Sequence, residues 1–191
     1  MLAPHLALIT IHQTLPSQEI CESLMKLGRD ERVRVIMLIG LESLALESSQ
    51  DRQLITVLEG LSQPVIATLN GQLEELSSEV AAACSLLITT TESVLAGLPA
   101  PEAVACGVIT LAVATEAELL PTAEQLALTI SRNAPLAVRH ALESIKRGSR
   151  LPLSEALELE AELFSRCFAT EDAREGVRAF YAKREPQFRG H

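Results

Sequence analysis

The stretch Q-P-V-I-A-T-L-N-G-Q-L-E-E-L-S-S-E-V-A-A-A-C-S-L-L-I-T-T, residues 63–90, decides the fold of this chain. Its first apolar run, residues 64–69, predicts a buried strand that ends in a tight turn at Asn70-Gly71. A helix rich in small residues (75–84) and a second apolar strand (86–90) follow. A helix that begins directly after a strand presents free N–H groups and a positive dipole end at the sheet edge. That edge is where α/β proteins bind anions and developing oxyanions.

Outward from this stretch, predicted strands and helices alternate along the chain. Strands are predicted at residues 6–11, 33–39, 64–69, 86–90 and 108–113, and helices at 17–27, from a cap at Ser48 or Ser49 to residue 61, and at 75–84. This alternation predicts an α/β fold with a mostly parallel sheet.

The end of the chain has a different pattern. After Pro121, which suits the first position of a helix, four consecutive helices are predicted at residues 121–132, 134–147, 153–168 and 171–184. The sequence therefore predicts an α/β core over residues 1–120 and a C-terminal helical region over residues 121–191.

Composition narrows the class of protein. Hydrophobic residues make up 48% and charged residues 21% of the 191 residues, which is typical of a globular protein. A net charge of −9 argues against non-specific nucleic-acid binding. No apolar run reaches the ~20 residues that a membrane span needs, and no basic region precedes the first apolar run. The four cysteines and four histidines lack metal-ligand spacing, so we expect no metal, buried thiols and a reducing, cytoplasmic location.

Four segments resemble a known family. Residues 168–176, F-A-T-E-D-A-R-E-G, and the following F-x-x-K-R-x-P-x-F resemble the C-terminal signature of the enoyl-CoA hydratase/isomerase (crotonase) superfamily. Three upstream segments resemble further parts of the family's sequence: V-R-V-I-M-L-I-G (33–40), P-V-I-A-T-L-N-G (64–71) and A-P-E-A-V-A-C-G-V-I (100–109). The chain is thus identified as a shortened, divergent member.

The resemblance implies a fold, a chemistry and partners. The fold would be the ClpP/crotonase spiral of ββα units, with C-terminal helices that build homotrimers or hexamers and close over the CoA site. The ligand would be an acyl-CoA or another acyl thioester, with no further cofactor. Members polarise the thioester between two backbone N–H groups, and hydratases use two glutamates to add water. Such an oxyanion hole is effective because the enolate charge appears only during the reaction.

The resemblance places the oxyanion hole on two residues. Ser48 lies in E-S-S-Q (47–50), where the family has a glycine-containing A-G-A-D-L-like loop. Leu76 falls where a G-G-G run normally supplies the second N–H. Glu74 and Glu75 beside it are interpreted as acids that complement the helix dipole, or as charges that oppose an enolate and the CoA phosphates.

The resemblance also assigns one acid/base. Glu79, in S-S-E-V-A, matches the family's first catalytic glutamate; the alternative is a half-exposed helix glutamate. The second glutamate normally follows a G-L-P or G-Q-P tripeptide, but Ala100 follows Gly97-Leu98-Pro99 here. Glu102 fits better in the following helix. The family's P-G-A-G-G-T-Q-R-L stretch is absent.

The C-terminal region carries two further predictions. Lys183 and Arg184 match a basic pair near the CoA phosphates, or alternatively form a solvated helix C-terminus. An amphipathic pattern predicts residues for the core and a subunit interface: Ala161, Phe164, Phe168, Val177, Phe180 and Tyr181.

Two functions follow from these assignments. One is a crotonase homologue with a degenerate oxyanion hole, a single matching glutamate and little or no classical hydratase activity, which supports a partner enzyme or a thioester pathway. The other is a reduced but active hydratase or lyase on acyl thioesters, with Glu79 as its single acid/base.

Overall fold

The computed structural model describes residues 5–44, 46 and 52–191. The chain divides into two compact units, Met1–Leu128 and Thr129–His191.

The first unit is built on a five-stranded parallel sheet with the strand order β1-β2-β3-β5-β8. Its strands are β1 (Leu6–Thr10), β2 (Val35–Ile39), β3 (Val65–Leu69), β5 (Leu86–Thr90) and β8 (Leu111–Val113). Its helices are α1 (Ser17–Gly28), α2 (Arg52–Gly60), α3 (Glu75–Ala83) and α4 (Ala100–Ala105). The predicted α/β fold with a mostly parallel sheet is confirmed.

The strongest strand predictions come from runs that are buried on both faces. All five residues of β3 are buried, as are the first four of β2. Continuous burial of this kind is typical of parallel strands covered by helices on both sides. Parallel pairing of Met37 with Ile66 and of Ala67 with Leu87 brings the carboxyl ends of β2, β3 and β5 to one edge of the sheet.

A small second sheet lies beyond that edge. Its strands are β4 (Gln72–Leu73), β6 (Val94–Leu95) and β7 (Leu98–Pro99). β4 and β6 are parallel to each other, and β6 and β7 are antiparallel. β3 is therefore followed by one short strand and β5 by two short strands before the next helix, which extends the ββα pattern.

The second unit is helical. α5 (Glu116–Ser131) runs across the boundary between the units, and α6 (Pro135–Gly148), α7 (Leu153–Phe168) and α8 (Glu171–Ala182) follow. α6 and α7 pack against each other within this unit. Over the described part of the chain, every helix is too short or too polar to traverse a bilayer.

Three details of the sequence prediction are wrong. The last strand begins at Leu111 instead of Val108, because the N–H groups of Val108 and Ile109 both bond to the Ala103 carbonyl in a turn. Pro121 does not start a helix but lies inside α5. The helix begins earlier because Glu118 accepts the Ala114 N–H and satisfies a donor ahead of the first turn. Of the thiols expected to be buried, Cys106 is exposed.

Candidate functional site

The candidate site begins at the Asn70-Gly71 turn between β3 and β4. Gly71 has a φ of 132°, a backbone conformation that favours glycine. The Asn70 N–H donates to a carboxylate oxygen of Glu42 over 3.0 Å. Glu42 lies in a short 3₁₀ turn (Leu41–Ser43) directly after β2, so an acidic side chain of one strand end holds the turn of the next.

A buried hydroxyl pair supports this turn from β5 and the residues after it. Ser93, 1% exposed, accepts the Gly71 N–H over 3.3 Å and donates to the Leu69 carbonyl over 3.2 Å. Thr90 Oγ1 donates to Asn70 Oδ1 over 3.1 Å and lies 2.9 Å from Ser93 Oγ. Sequence reasoning missed these partners. The available signal was the polar run Thr89–Ser93 at the carboxyl end of a strand.

Three residues separate the turn from α3, whose first N–H groups have no acceptor within the helix. Glu74 is its N-cap residue, and its side chain makes no capping hydrogen bond. Ser78 N–H donates to the Glu74 carbonyl over 2.8 Å, which is the first bond of the helix. Leu76 N–H therefore belongs to the first turn, whose N–H groups have no acceptor within a helix. The Leu76 side chain is half-buried, and Glu74 and Glu75 beside it are exposed.

Glu79 lies one turn further along α3, and its carboxylate meets Arg52 of α2. The Glu79 Oε2 to Arg52 Nη1 distance is 3.3 Å, and a second contact from Nη2 to Oε1 measures 3.4 Å. The Glu79 side chain is 40% exposed and that of Arg52 is 63% exposed. The predicted acid/base is thus open to solvent and has a cationic partner that sequence reasoning did not find.

The position after Gly97-Leu98-Pro99 is fully enclosed. Ala100 is 0% exposed, belongs to the main hydrophobic core, and donates its N–H to the Ser93 carbonyl over 2.9 Å. Pro99 ends β7 and α4 starts at once, so no further segment separates them. Glu102, the next acid, is exposed on α4. The residue after Gly97-Leu98-Pro99, where the resemblance puts the family's second glutamate, is therefore a buried alanine.

The other predicted site residues belong to the second unit or are not described. Ser48 lies outside the described residues, as does the predicted cap of the second helix. In the second unit, Lys183 is the C-cap of α8 with a left-handed φ of 51°, and its side chain is exposed. Arg184 forms a two-pronged ion pair with Glu175, with contacts of 2.6 and 2.9 Å. Across residues 5–44, 46 and 52–191, His, Cys, Asp and Glu side chains form no cluster of three suited to a metal ion.

Comparison with known proteins decides the family. The sequence model of the family described as enoyl-CoA hydratase/isomerase matches residues 94–191. YngF of Bacillus subtilis, which bears that family name, is 32% identical over 186 residues, covering 78% of this chain and 71% of its own. This chain belongs to the enoyl-CoA hydratase/isomerase family. A short-chain-enoyl-CoA hydratase of Clostridium acetobutylicum is 30% identical, over 67% of this chain and 62% of the relative.

Solved structures agree on the fold. A crystal structure of an enoyl-CoA hydratase/isomerase from Mycobacterium paratuberculosis superposes with a TM-score of 0.85 at 21% identity, covering 100% of this chain and 97% of the other. An enoyl-CoA hydratase from Bacillus anthracis superposes with a TM-score of 0.81 at 24% identity, over 99% and 97%. The crotonase fold predicted from the C-terminal signature is confirmed. The family match from residue 94 onward excludes α3, so Glu79 and Leu76 remain predictions.

Proposed function

We propose that this family member has little or no classical enoyl-CoA hydratase activity. The observation that carries the proposal is Ala100. Hydration by the family uses two glutamates, and the resemblance assigns the second to residue 100, which is an alanine buried in the core. A water molecule activated by Glu79 alone would lack the opposing acid that completes addition to the double bond.

The charges around α3 support the same proposal. Glu42 bonds to the Asn70 N–H at the sheet edge, while Glu74 and Glu75 lie at the helix N-terminus. Carboxylates there complement the helix dipole at about 0.3–1 kcal/mol each. They would also oppose the negative charge of an enolate. The Glu79 carboxylate, for its part, is already in a solvent-exposed ion pair with Arg52.

One observation favours the alternative of a reduced but active hydratase or lyase. The Leu76 N–H lies in the uncapped first turn of α3, and Glu79 is open to solvent one turn away. In that function Glu79 would be the single acid/base, and the N–H groups of Leu76 and Ser48 would form the oxyanion hole. An acyl-CoA or another acyl thioester would be the substrate, with Lys183 and Arg184 as candidates for CoA binding.

The two functions differ in their response to Glu79→Gln. We expect wild type to hydrate a panel of 2-enoyl-CoAs of different chain lengths no faster than the Glu79→Gln variant, as followed by loss of enoyl absorbance. Glu59→Gln, an exposed carboxylate substitution on α2, serves as the control. General acid–base catalysis contributes roughly 10²–10⁴-fold, so a real role for Glu79 would be plain. If wild type hydrates an enoyl-CoA, and the rate falls by that factor in Glu79→Gln but not in Glu59→Gln, the proposal is wrong and the alternative holds.

Ligand binding is tested separately by thermal shift. A chain that handles thioesters without turnover should be stabilised by CoA or an acyl-CoA well above their dissociation constants, by about 2.7 kcal/mol at 100 times Kd. An unchanged melting temperature across the titration would contradict a thioester-binding role while leaving the lack of hydration in place.

We further propose that the C-terminal helical region forms the contact between copies of this chain, in a homotrimer or hexamer. The predicted core and interface residues of this region do not lie in its core. Large apolar side chains are highly exposed there: Phe164 (63%), Phe168 (67%), Val177 (58%), Phe180 (80%) and Tyr181 (81%). Exposed apolar groups of this size mark interaction sites.

Light scattering after size-exclusion chromatography tests this contact. We expect wild type to elute as three or six chains and a Phe180→Ser, Tyr181→Ser variant to shift toward the monomer. Leu111→Ser, at an exposed apolar residue of the first unit, is the control. A monomeric wild type, or a double variant with an unchanged mass, would overturn the proposal.

A further inference from the structure

The last residues of the chain fold back along α8. Lys183 turns the chain with its left-handed φ, and the N–H of Arg184 returns to the Ala179 carbonyl over 3.1 Å. At the far end, the Asp172 N–H donates to the His191 carbonyl over 3.2 Å. We name residues 183–191 the strap. It runs from the C-terminus of α8 back to the first turn of the same helix.

A buried carboxylate holds the far end of the strap. Asp172 is 3% exposed, and its two oxygens accept the N–H groups of Arg189 over 2.7 Å and Gly190 over 2.8 Å. Gly190 has a φ of 87°, and a Cβ there would lie 3.4 Å from Pro135 Cγ. A carboxylate that accepts backbone N–H groups forms charge-assisted bonds, which are stronger than neutral ones. Asp172 therefore holds the end of the strap through both its side chain and its backbone N–H.

A second carboxylate holds the near end. Glu175 accepts both prongs of the Arg184 guanidinium and the Gln187 N–H over 2.9 Å. The hydrogen bond from Arg184, followed by the bond from Gln187, lowers the pKa of Glu175 from its usual value to about 2. The side chain of Glu175 is only 20% exposed and that of Arg184 is 45% exposed. Both terminal nitrogens of the Arg184 guanidinium are thus bonded to Glu175, and Nη1 also donates to the Glu185 carbonyl.

The strap buries little apolar surface beside these polar bonds, and Phe188 is its large apolar side chain next to Gly176 of α8. Its members Pro186, Phe188 and Gly190 are half-buried, and the other strap residues are exposed. Segments with few buried apolar contacts open locally without unfolding the unit that carries them. The strap can therefore open while α6, α7 and α8 stay folded.

We propose that the strap is a latch closed by Asp172 and Glu175, and that the closed latch withholds Arg184 from anionic ligands. In the closed state Arg184 holds the strap, and its two terminal nitrogens are bonded to Glu175 although its side chain is 45% exposed. An anion forms a two-pronged bond with this edge of the guanidinium only by displacing Glu175. The proposal concerns the second unit alone and does not depend on any turnover by the first.

Amide hydrogen exchange tests the latch residue by residue. In Asp172→Asn we expect the Arg189 and Gly190 amides to exchange roughly tenfold faster or more, because two charge-assisted bonds are weakened. In Glu175→Gln we expect the same for the Gln187 amide. Glu171→Gln, a neighbouring exposed carboxylate paired with Arg174, should leave all three amides within about twofold of wild type. Circular dichroism checks that each variant keeps its helices, and Glu175→Gln stands alone if Asp172→Asn fails to fold.

A titration with inorganic pyrophosphate tests the withheld arginine. We expect wild type and Arg184→Gln to bind this anion equally weakly, and Glu175→Gln to bind it roughly fivefold more tightly. Adding Arg184→Gln to Glu175→Gln should remove the gain. Unchanged exchange in both carboxylate variants would overturn the latch. Pyrophosphate affinity that falls on Arg184→Gln in the wild-type background would overturn the withholding of Arg184.

Discussion

Replacing Ala100 by glutamate is expected to destabilise the protein by about 4 kcal/mol and not to create a hydratase. The substitution restores a carboxylate at the position where the family resemblance puts the second catalytic acid. Ala100 has no exposed surface, however, and α4 begins directly after β7. A longer side chain would have to enter the core cluster, and its carboxylate would lack the partners that a buried charge requires. Chemical denaturation followed by helix signal measures the loss.

The matched control is Ala105→Glu, which makes the same change on the exposed side of the same helix. Its effect should stay within about 0.5 kcal/mol, as is usual for surface positions. If Ala100→Glu kept wild-type stability, the core would contain space for a carboxylate. If it also hydrated a 2-enoyl-CoA, the lack of a second acid would be the single cause of inactivity.

The sequence predicts the elements of the first unit because local patterns determine them. The run that forms β2 is apolar throughout, and those that form β3 and β5 are interrupted only by threonines. The small residues of α3 follow a turn that glycine permits. The errors arise where a local pattern is overridden. Val108 continues an apolar run, yet Gly107 takes a φ of 76° and turns the chain before the strand can start.

The contacts of the candidate site are less accessible to sequence reasoning. Arg52 meets Glu79 across 27 residues, and Glu42 meets Asn70 across 28. Such pairs depend on how helices and strand ends meet in space, so the periodicity of the sequence does not predict them. The family resemblance supplied positions for Glu79 and Leu76 but no partners. Their surroundings come from the structure alone.

The strap and α8 contain the C-terminal signature, which identifies the family in the sequence without revealing what its residues bond to. Asp172, Glu175 and Arg184 lie within the signature that identified the family. The structure gives each a bond: Asp172 to the Arg189 and Gly190 amides, and Glu175 to Arg184. Arg184 was interpreted from the resemblance as a CoA ligand. Its ion pair with Glu175 gives it a structural role that the spacing of the motif alone does not reveal.

Replacing Gly40 by alanine is expected to lower the free energy of unfolding by about 3 kcal/mol, because backbone strain at a positive φ and a steric clash add at this residue. Gly40 follows β2 with a φ of 87°, and a Cβ there would lie 2.9 Å from the Ile11 carbonyl oxygen. That oxygen belongs to the backbone, so the neighbouring chain would have to move. The 3₁₀ turn that follows carries Glu42, and the Glu42 bond to the Asn70 N–H should weaken with it. Thermal and urea denaturation measure the stability, and exchange of the Asn70 amide reports the site.

Gly107→Ala separates the backbone strain from the steric clash. Gly107 has a similar φ of 76°, but nothing lies within 4 Å of a Cβ at that position. Its loss should be limited to the backbone cost of a left-handed alanine, about 1–2 kcal/mol. The difference between the two variants then measures the clash with Ile11 at the end of β2. Equal losses of stability in the two variants would show that the backbone at the end of β2 moves without cost to accept a Cβ. The sheet edge that positions Glu42 and Asn70 would then not be rigid.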